Sequence, residues 1–321
     1  MDHRVAWELS PAQLALATSS PDRLRFLEGI SGTGKTTAGV AYLRTLLSSG
    51  IPGASILIIT PQRTLGAPYL EILHAPDSPP GGVVSLLTMG GLAQRMVALF
   101  WPLIAEQAGF HNPDQPPVFL TLETAQYYMA YLVKPLLNEG LFDSVTMERN
   151  RLFSQIIYNL NKSAVVGFPY TEIWQRLKSA WVGEPGQVHV YEDAQRCASL
   201  FREYCLANNL LDFSLQMDVF TRHLWTHPAC REFLKRIYRH MIADNIEEDT
   251  PIAHDIIAEW LPDLDSALLI YDENAGYRRF LGADPQSAYR LKELCHEHFT
   301  FSVSHVASPE IQALAGQLER R

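Results

Sequence analysis

The chain has 321 residues, 47% of them hydrophobic and 19% charged, with 20 Pro and 19 Gly. That mixture supports a packed core and excludes collagen, a coiled coil and an intrinsically disordered chain. Lys and Arg total 26 against 35 Asp and Glu, a formal charge of −9, so the protein is no polycation that coats nucleic acid, and any phosphate contact must be local. The length allows two domains, or one domain with a large insertion. Cys197, Cys205, Cys230 and Cys295 include no C-x-x-C pair, and reduced thiols in the cytoplasm are the expectation. The N-terminal MDHRVAWELSPAQ has no leader-like apolar run, and no apolar stretch approaches the length of a membrane span.

In chain order, a short apolar run from Leu24 to Leu27 leads into LEGISGTGKTTAGVAYLRTLL, where Val40, Leu43, Leu46 and Leu47 recur at helical spacing. The pattern predicts strand, loop, helix. After the breakers Gly50, Pro52 and Gly53, SILIIT (55–60) reads as a strand buried on both faces. VVSLLT (83–88) reads as another after a Pro/Gly turn. From Leu92 to Leu210 the apolar spacing is mostly helical, as in Tyr191, Ala194, Cys197, Phe201 and Tyr204, with Trp101, Trp174 and Trp181 expected as packing anchors. Strand-like runs return at YRHMIAD (238–244) and SALLIYD (266–272). Each ends in Asp, as ligand-contacting residues do at the carboxyl edge of a parallel sheet. The expected fold is α/β, a P-loop NTPase parallel sheet with a helical insertion, divided as 1–91 with 211–321 around an insertion at 92–210.

The motif that carries chemistry is Gly29-Ile30-Ser31-Gly32-Thr33-Gly34-Lys35-Thr36, which fits G-x-x-x-x-G-K-[ST] between a strand and a helix. Glycines let successive N–H groups face one anion, and the helix N-terminus adds its dipole. Lys35 brings a point charge to the β/γ-phosphates of ATP, and the Thr36 hydroxyl can complete a Mg²⁺ shell. Thr37, next in the helix, belongs to the same expected site. Such a loop needs a carboxylate from a neighbouring strand to hold Mg²⁺, for which Asp244 is the first candidate and Asp272 the second. Asn245 cannot take a proton from water, whereas Glu247, Glu248 and Asp249 follow closely.

Several segments together resemble the superfamily 1 DNA helicases of the UvrD, Rep and PcrA type, in order along nearly the whole chain. LSPAQ is similar to the Q motif, which implies that Gln13 reads the adenine edge. The phosphate loop matches motif I, ILIITPQRTLGAPYLEIL resembles motif Ia, and VVSLLTMGGLAQRM resembles motif Ib. YCLANNLLDFSLQ resembles the return from insertion domain 1B to domain 1A. MIADNIEEDTP sits at motif II and LLIYDENAGYRRFLGADP at motif III. The resemblance implies a RecA-like domain 1A that binds ATP and Mg²⁺ and moves on single-stranded or partly duplex DNA, with 3′ to 5′ movement expected. Thr60, Gln62, Arg63 and Thr88 would meet the DNA backbone, and Phe280, with Tyr277 beside it, would stack on bases.

The sequence departs from the family pattern in motifs II and III and in the stretch after them. Motif II lacks its Glu and is one residue longer, so Glu247 or Glu248 would replace the base. Ala275 stands where a Gln senses the γ-phosphate, and Leu281 where an Arg precedes Gly282-Ala283-Asp284. SVSHVASPEI falls at motif IV without its Arg. The family's second RecA-like domain, with motifs V and VI and an arginine finger, is not among these residues. A truncated or split half that is a poor ATPase alone is therefore expected, its partner a second RecA-like domain or chain. Cys295-His296-Glu297-His298 invites a zinc reading, but adjacent side chains diverge, and no metal is expected there. Two other classes stay open: a nucleotide-gated DNA-binding module, for which Asn245, Ala275 and Leu281 speak, and a P-loop small-molecule kinase, against which the helical insertion and Gln13 speak.

Overall fold

The computed structural model describes residues 8–180, 182–183, 188–308, 310–311 and 314. Residues 1–7, part of the segment searched for a leader, and Trp181, expected as a packing anchor, lie outside the described residues. So does Pro309 of the motif IV-like stretch.

The described strands, in chain order, are β1 (Leu24–Gly29), β2 (Ile56–Ile59), β3 (Ser85–Leu87), β4 (Val118–Phe119), β5 (Leu210–Leu211), β6 (His240–Asp244), β7 (Ser266–Asp272) and β8 (Glu297–Phe301). The helices are α1 (Pro11–Ala17), α2 (Lys35–Ser48), α3 (Ala67–Leu73), α4 (Met89–Ile104), α5 (Leu122–Asn138), α6 (Arg149–Val166), α7 (Ile173–Ala180), α8 (Val188–Ala207), α9 (Phe213–Val219), α10 (Pro228–Ile237), α11 (Pro251–Trp260) and α12 (Pro285–Arg290). The chain divides into two compact units, Met1–Met89 with Leu234–Arg321 and Gly90–Phe233.

The first unit is α/β, built on a six-stranded parallel sheet in the order β3-β2-β6-β7-β1-β8. The β-branched runs become the strands expected of them because every residue of β2 and β6 is buried, a burial that only a sheet covered on both faces supplies. Val40, Leu43, Leu46 and Leu47 of α2 pack on Ile56, Ile58, Ile242 and Leu268. Each such side chain contributes about 1.5–3 kcal/mol by leaving water.

β1 carries two charges into this interior, and both are paired. Arg25 Nε meets Glu297 Oε2 at 2.7 Å, and Glu28 Oε1 meets Lys292 Nζ at 2.7 Å. A buried charge without a partner would cost several kcal/mol. Strand order puts the ends of β6, β7 and β1 side by side. Gly29 is level with Asp272, and Asp244 with Ile270. The phosphate-loop motif and both candidate carboxylates thus share one sheet edge, where ligands of parallel sheets bind.

Two features differ from expectation. β8 was not foreseen, because EHFTF alternates exposed and half-buried positions at the sheet edge and carries no β-branched run. The second junction falls after Phe233 rather than at residue 211. The reason is that β5 pairs with β4, Val118 against Leu210, and Arg202 of α8 is bound to Asp212 Oδ1 (3.2 Å) and Ser214 Oγ (2.8 Å). These bonds hold the start of α9 within the helical unit. In that unit Trp101 is buried against Phe110, with ring centroids 4.6 Å apart, and Trp174 is half-buried. Among the described residues no helix is long and apolar enough to cross a membrane.

Candidate functional site

The loop after β1 turns sharply enough to require glycine. Gly32 and Gly34 have φ of 80° and 75°, a region closed to most side chains. Gly34 caps α2, whose first residue is Lys35. The Lys35 ammonium is buried, and its three protons are committed: Nζ donates to Gly29 O and Ile30 O, each at 2.8 Å, and pairs with Asp272 Oδ2 at 3.2 Å. Thr33 Oγ1 donates back to Ile30 O at 3.0 Å, while Ser31 is exposed and Thr37 half-buried. Two neighbours brace the loop. Gln13 Nε2 donates to Gly34 O (3.1 Å), while Gln13 Oε1 accepts from Ser10 N (2.9 Å) in a capping box at α1. The backbone N–H of His305, in the segment after β8, donates to Gly32 O at 2.8 Å.

Asp244 is buried at the end of β6. Burial pushes its carboxyl above the ordinary range, tempered by hydrogen bonds from Tyr69 and Thr36 and by the Asn245 amide. Tyr69 Oη donates to Oδ2 at 2.8 Å, a charge-assisted bond worth about 1.5–3 kcal/mol. Oδ1 of Asp244 and Oδ1 of Asp272 are both buried and accept no hydrogen bond. Burial raises the Asp272 carboxyl too, against the pull of Lys35. Two oriented, unsatisfied carboxylate oxygens beside a phosphate-type loop are what an incoming cation or water would satisfy. Among the described residues no three His, Cys, Asp or Glu side chains form a metal cage by themselves. A cation held by Asp244 and Thr36 would complete its shell with phosphate oxygens and water, as Mg²⁺ does.

The two candidate bases lie side by side in the 3-10 turn Ile246–Glu248, which Asn245 opens in the left-handed region at φ 60°. Glu247 is buried, and Oε2 accepts the Asp272 N–H at 2.9 Å. Burial lifts its carboxyl to about 7 against the pull of that amide, the range suited to a general base at neutral pH. Glu248 points to the next loop instead. Its oxygens accept the N–H groups of Gly276 (3.0 Å), Tyr277 (3.0 Å) and Arg278 (3.1 Å). The geometry thus separates Glu247, beside the carboxylates, from Glu248, a loop anchor.

That loop presents Tyr277 and Phe280, 81% and 66% exposed. Gln62, with its amide oxygen turned to the guanidinium, accepts from Arg278 Nη1 (2.9 Å) and Nε (3.0 Å), so the motif Ia-like turn and the aromatic loop meet. Arg63 is exposed and Thr88 half-buried. Thr60 is different: it is fully buried and donates to Gln62 O at 2.8 Å. Its hydroxyl shapes the turn, bonded within the chain.

Sequence reasoning missed Tyr69 and the partnership of Asp272 with Lys35. The available signal for Tyr69 was Gly39, a glycine in the interior of α2, where it costs about 1 kcal/mol relative to Ala. A Cβ there would lie 2.5 Å from the Tyr69 hydroxyl and 2.8 Å from Ile270 Cδ1. No protein-family model matches the chain, and a search of curated proteins finds no significant match.

Proposed function

We propose that the chain is the ATP-binding, single-stranded-DNA-binding N-terminal half of an ATP-dependent DNA helicase or translocase, its sheet unit a RecA-like P-loop domain. The observation that carries this reading is the edge formed by β6, β7 and β1, where the glycine-rich loop, Lys35 and two carboxylates with unsatisfied buried oxygens adjoin. Lys35 would exchange its contacts with Gly29, Ile30 and Asp272 for phosphate oxygens, and the loop amides with the α2 N-terminus would hold the remaining charge. Thr36 and Asp244 fit a Mg²⁺ ion, which when bound would neutralise charge on the β- and γ-phosphates. Glu247 would orient water and accept its proton. Full turnover would need an arginine from a second RecA-like domain or chain, typically worth several powers of ten.

The test is ATP turnover with and without oligo-dT, for the wild type and Lys35→Ala. Slow turnover that oligo-dT stimulates and Lys35→Ala abolishes supports the motor reading. A nucleotide-gated binding module, favoured by Asn245 at the usual base position and by Ala275, predicts ATP-dependent DNA retention with no turnover. Turnover that needs a small acceptor and ignores DNA overturns both.

A further inference from the structure

Gln13 is 5% exposed, and each polar atom of its carboxamide has a backbone partner. Oε1 accepts from Ser10 N (2.9 Å), closing the capping box of α1, and Nε2 donates to Gly34 O (3.1 Å). The carboxamide is packed on the loop, since a Cβ on Gly34 would collide with Nε2. A carboxamide that reads adenine makes a bidentate contact, its oxygen accepting from N6 and its nitrogen donating to N7. Both atoms must then face the base, whereas here both face the chain.

Gly34 O also accepts the first hydrogen bond of α2, from Ala38 N at 3.0 Å. In a trans peptide the C=O and the following N–H point in opposite directions. Two donors on Gly34 O therefore aim the Lys35 N–H out of the helix end, the side from which an anion approaches. His305 N, donating to Gly32 O at 2.8 Å, likewise turns the Thr33 N–H away from the segment after β8. Oriented amides of this kind recognise phosphate, which nucleotides of every base share.

We propose that Gln13 is a positioning residue that fixes the Lys35 amide for phosphate, and that the site takes nucleoside triphosphates without distinguishing their bases. ATP is then one member of the substrate class. This rests on the reading of the phosphate loop given above.

The experiment is competition against a ribose-labelled fluorescent ATP analogue on the full chain with Mg²⁺, using ATP, GTP, CTP, UTP and inorganic tripolyphosphate. The four nucleotides should agree in affinity within about threefold, less than one good bidentate base contact is worth. Gln13→Ala should weaken all four, and tripolyphosphate with them, by one common factor of about two to ten, the worth of one hydrogen bond. Gln13→Glu keeps the acceptor for Ser10 N, as Glu does in capping boxes, and loses the donor to Gly34 O. It should keep the wild-type circular dichroism and bind tripolyphosphate no better than Gln13→Ala, whereas a role confined to capping α1 would leave its binding as in the wild type. A preference for any one base beyond threefold, a Gln13→Ala loss seen with ATP but not with tripolyphosphate, or wild-type tripolyphosphate affinity in either variant would overturn this inference alone. A wild type that binds none of the nucleotides would overturn the underlying reading as well.

Discussion

Glu247 is an acid whose environment opposes its charge, and this has consequences in both stability and rate. Its carboxyl stands near 7 in the folded protein against an ordinary 4.5, so the folded state binds this proton more tightly than the unfolded state. The stability it contributes is complete below about 4.5 and is lost as pH rises through about 7. Glu247→Gln keeps the acceptor for Asp272 N without the charge. Chemical denaturation should find the variant more stable than wild type above pH about 7, by on the order of 2 kcal/mol, and equal at pH about 4. Its ATP turnover should fall by roughly 10²–10⁴, while wild-type turnover rises with pH through about 7. Turnover flat from pH about 6 to 8 would remove Glu247 as the base. Tyr69 makes a second prediction at this scale. Tyr69→Phe frees Asp244 Oδ2 to rotate, so the Mg²⁺ concentration giving half-maximal nucleotide binding should rise about tenfold, with overall structure preserved by circular dichroism. An unchanged Mg²⁺ dependence would show that the hydroxyl orients nothing.

At the scale of elements, α2 and α3 approach closely because Gly39 has no side chain. Gly39→Ala gains helix propensity of about 1 kcal/mol but forces Tyr69 off Asp244, so thermal unfolding should show net destabilisation of roughly 1–3 kcal/mol and weakened nucleotide binding. A stabilised variant with wild-type binding would mean that the two helices yield without consequence. The elements were legible in unequal measure. Uninterrupted apolar runs fixed on by burial marked β2, β6 and β7, and the glycine motif marked the turn into α2. β8 was hidden because its edge position leaves half of it exposed and its partners, Arg25 with Glu297, are distant in sequence. The boundary at Phe233 was hidden because apolar spacing identifies a helix but not the neighbours on which it packs. Glu247 and Glu248 could not be told apart until a 3-10 turn aimed adjacent side chains in different directions. The role of Tyr69 depends on a contact with Asp244 that local pattern does not encode.

For the whole molecule the governing quantity is a net charge of −9, which opposes any polyanion except where cations are concentrated. Arg63, Arg278 and Arg279 are the basic side chains at the proposed single-strand surface. With about three phosphates neutralised, the slope of log affinity for oligo-dT against log salt should be about −2, and the aromatic residues Tyr277 and Phe280 should carry the larger share of the affinity. Fluorescence anisotropy across a salt series measures this, and a slope steeper than about −5 would place the DNA on a different, far more basic surface. The most direct measurement is a titration of the full chain with a fluorescent ATP analogue in the presence of Mg²⁺, wild type beside Lys35→Ala. The account predicts saturable binding in the micromolar range that weakens at least about tenfold on loss of the ammonium. No saturation up to millimolar analogue, or equal affinity in the two proteins, would contradict it.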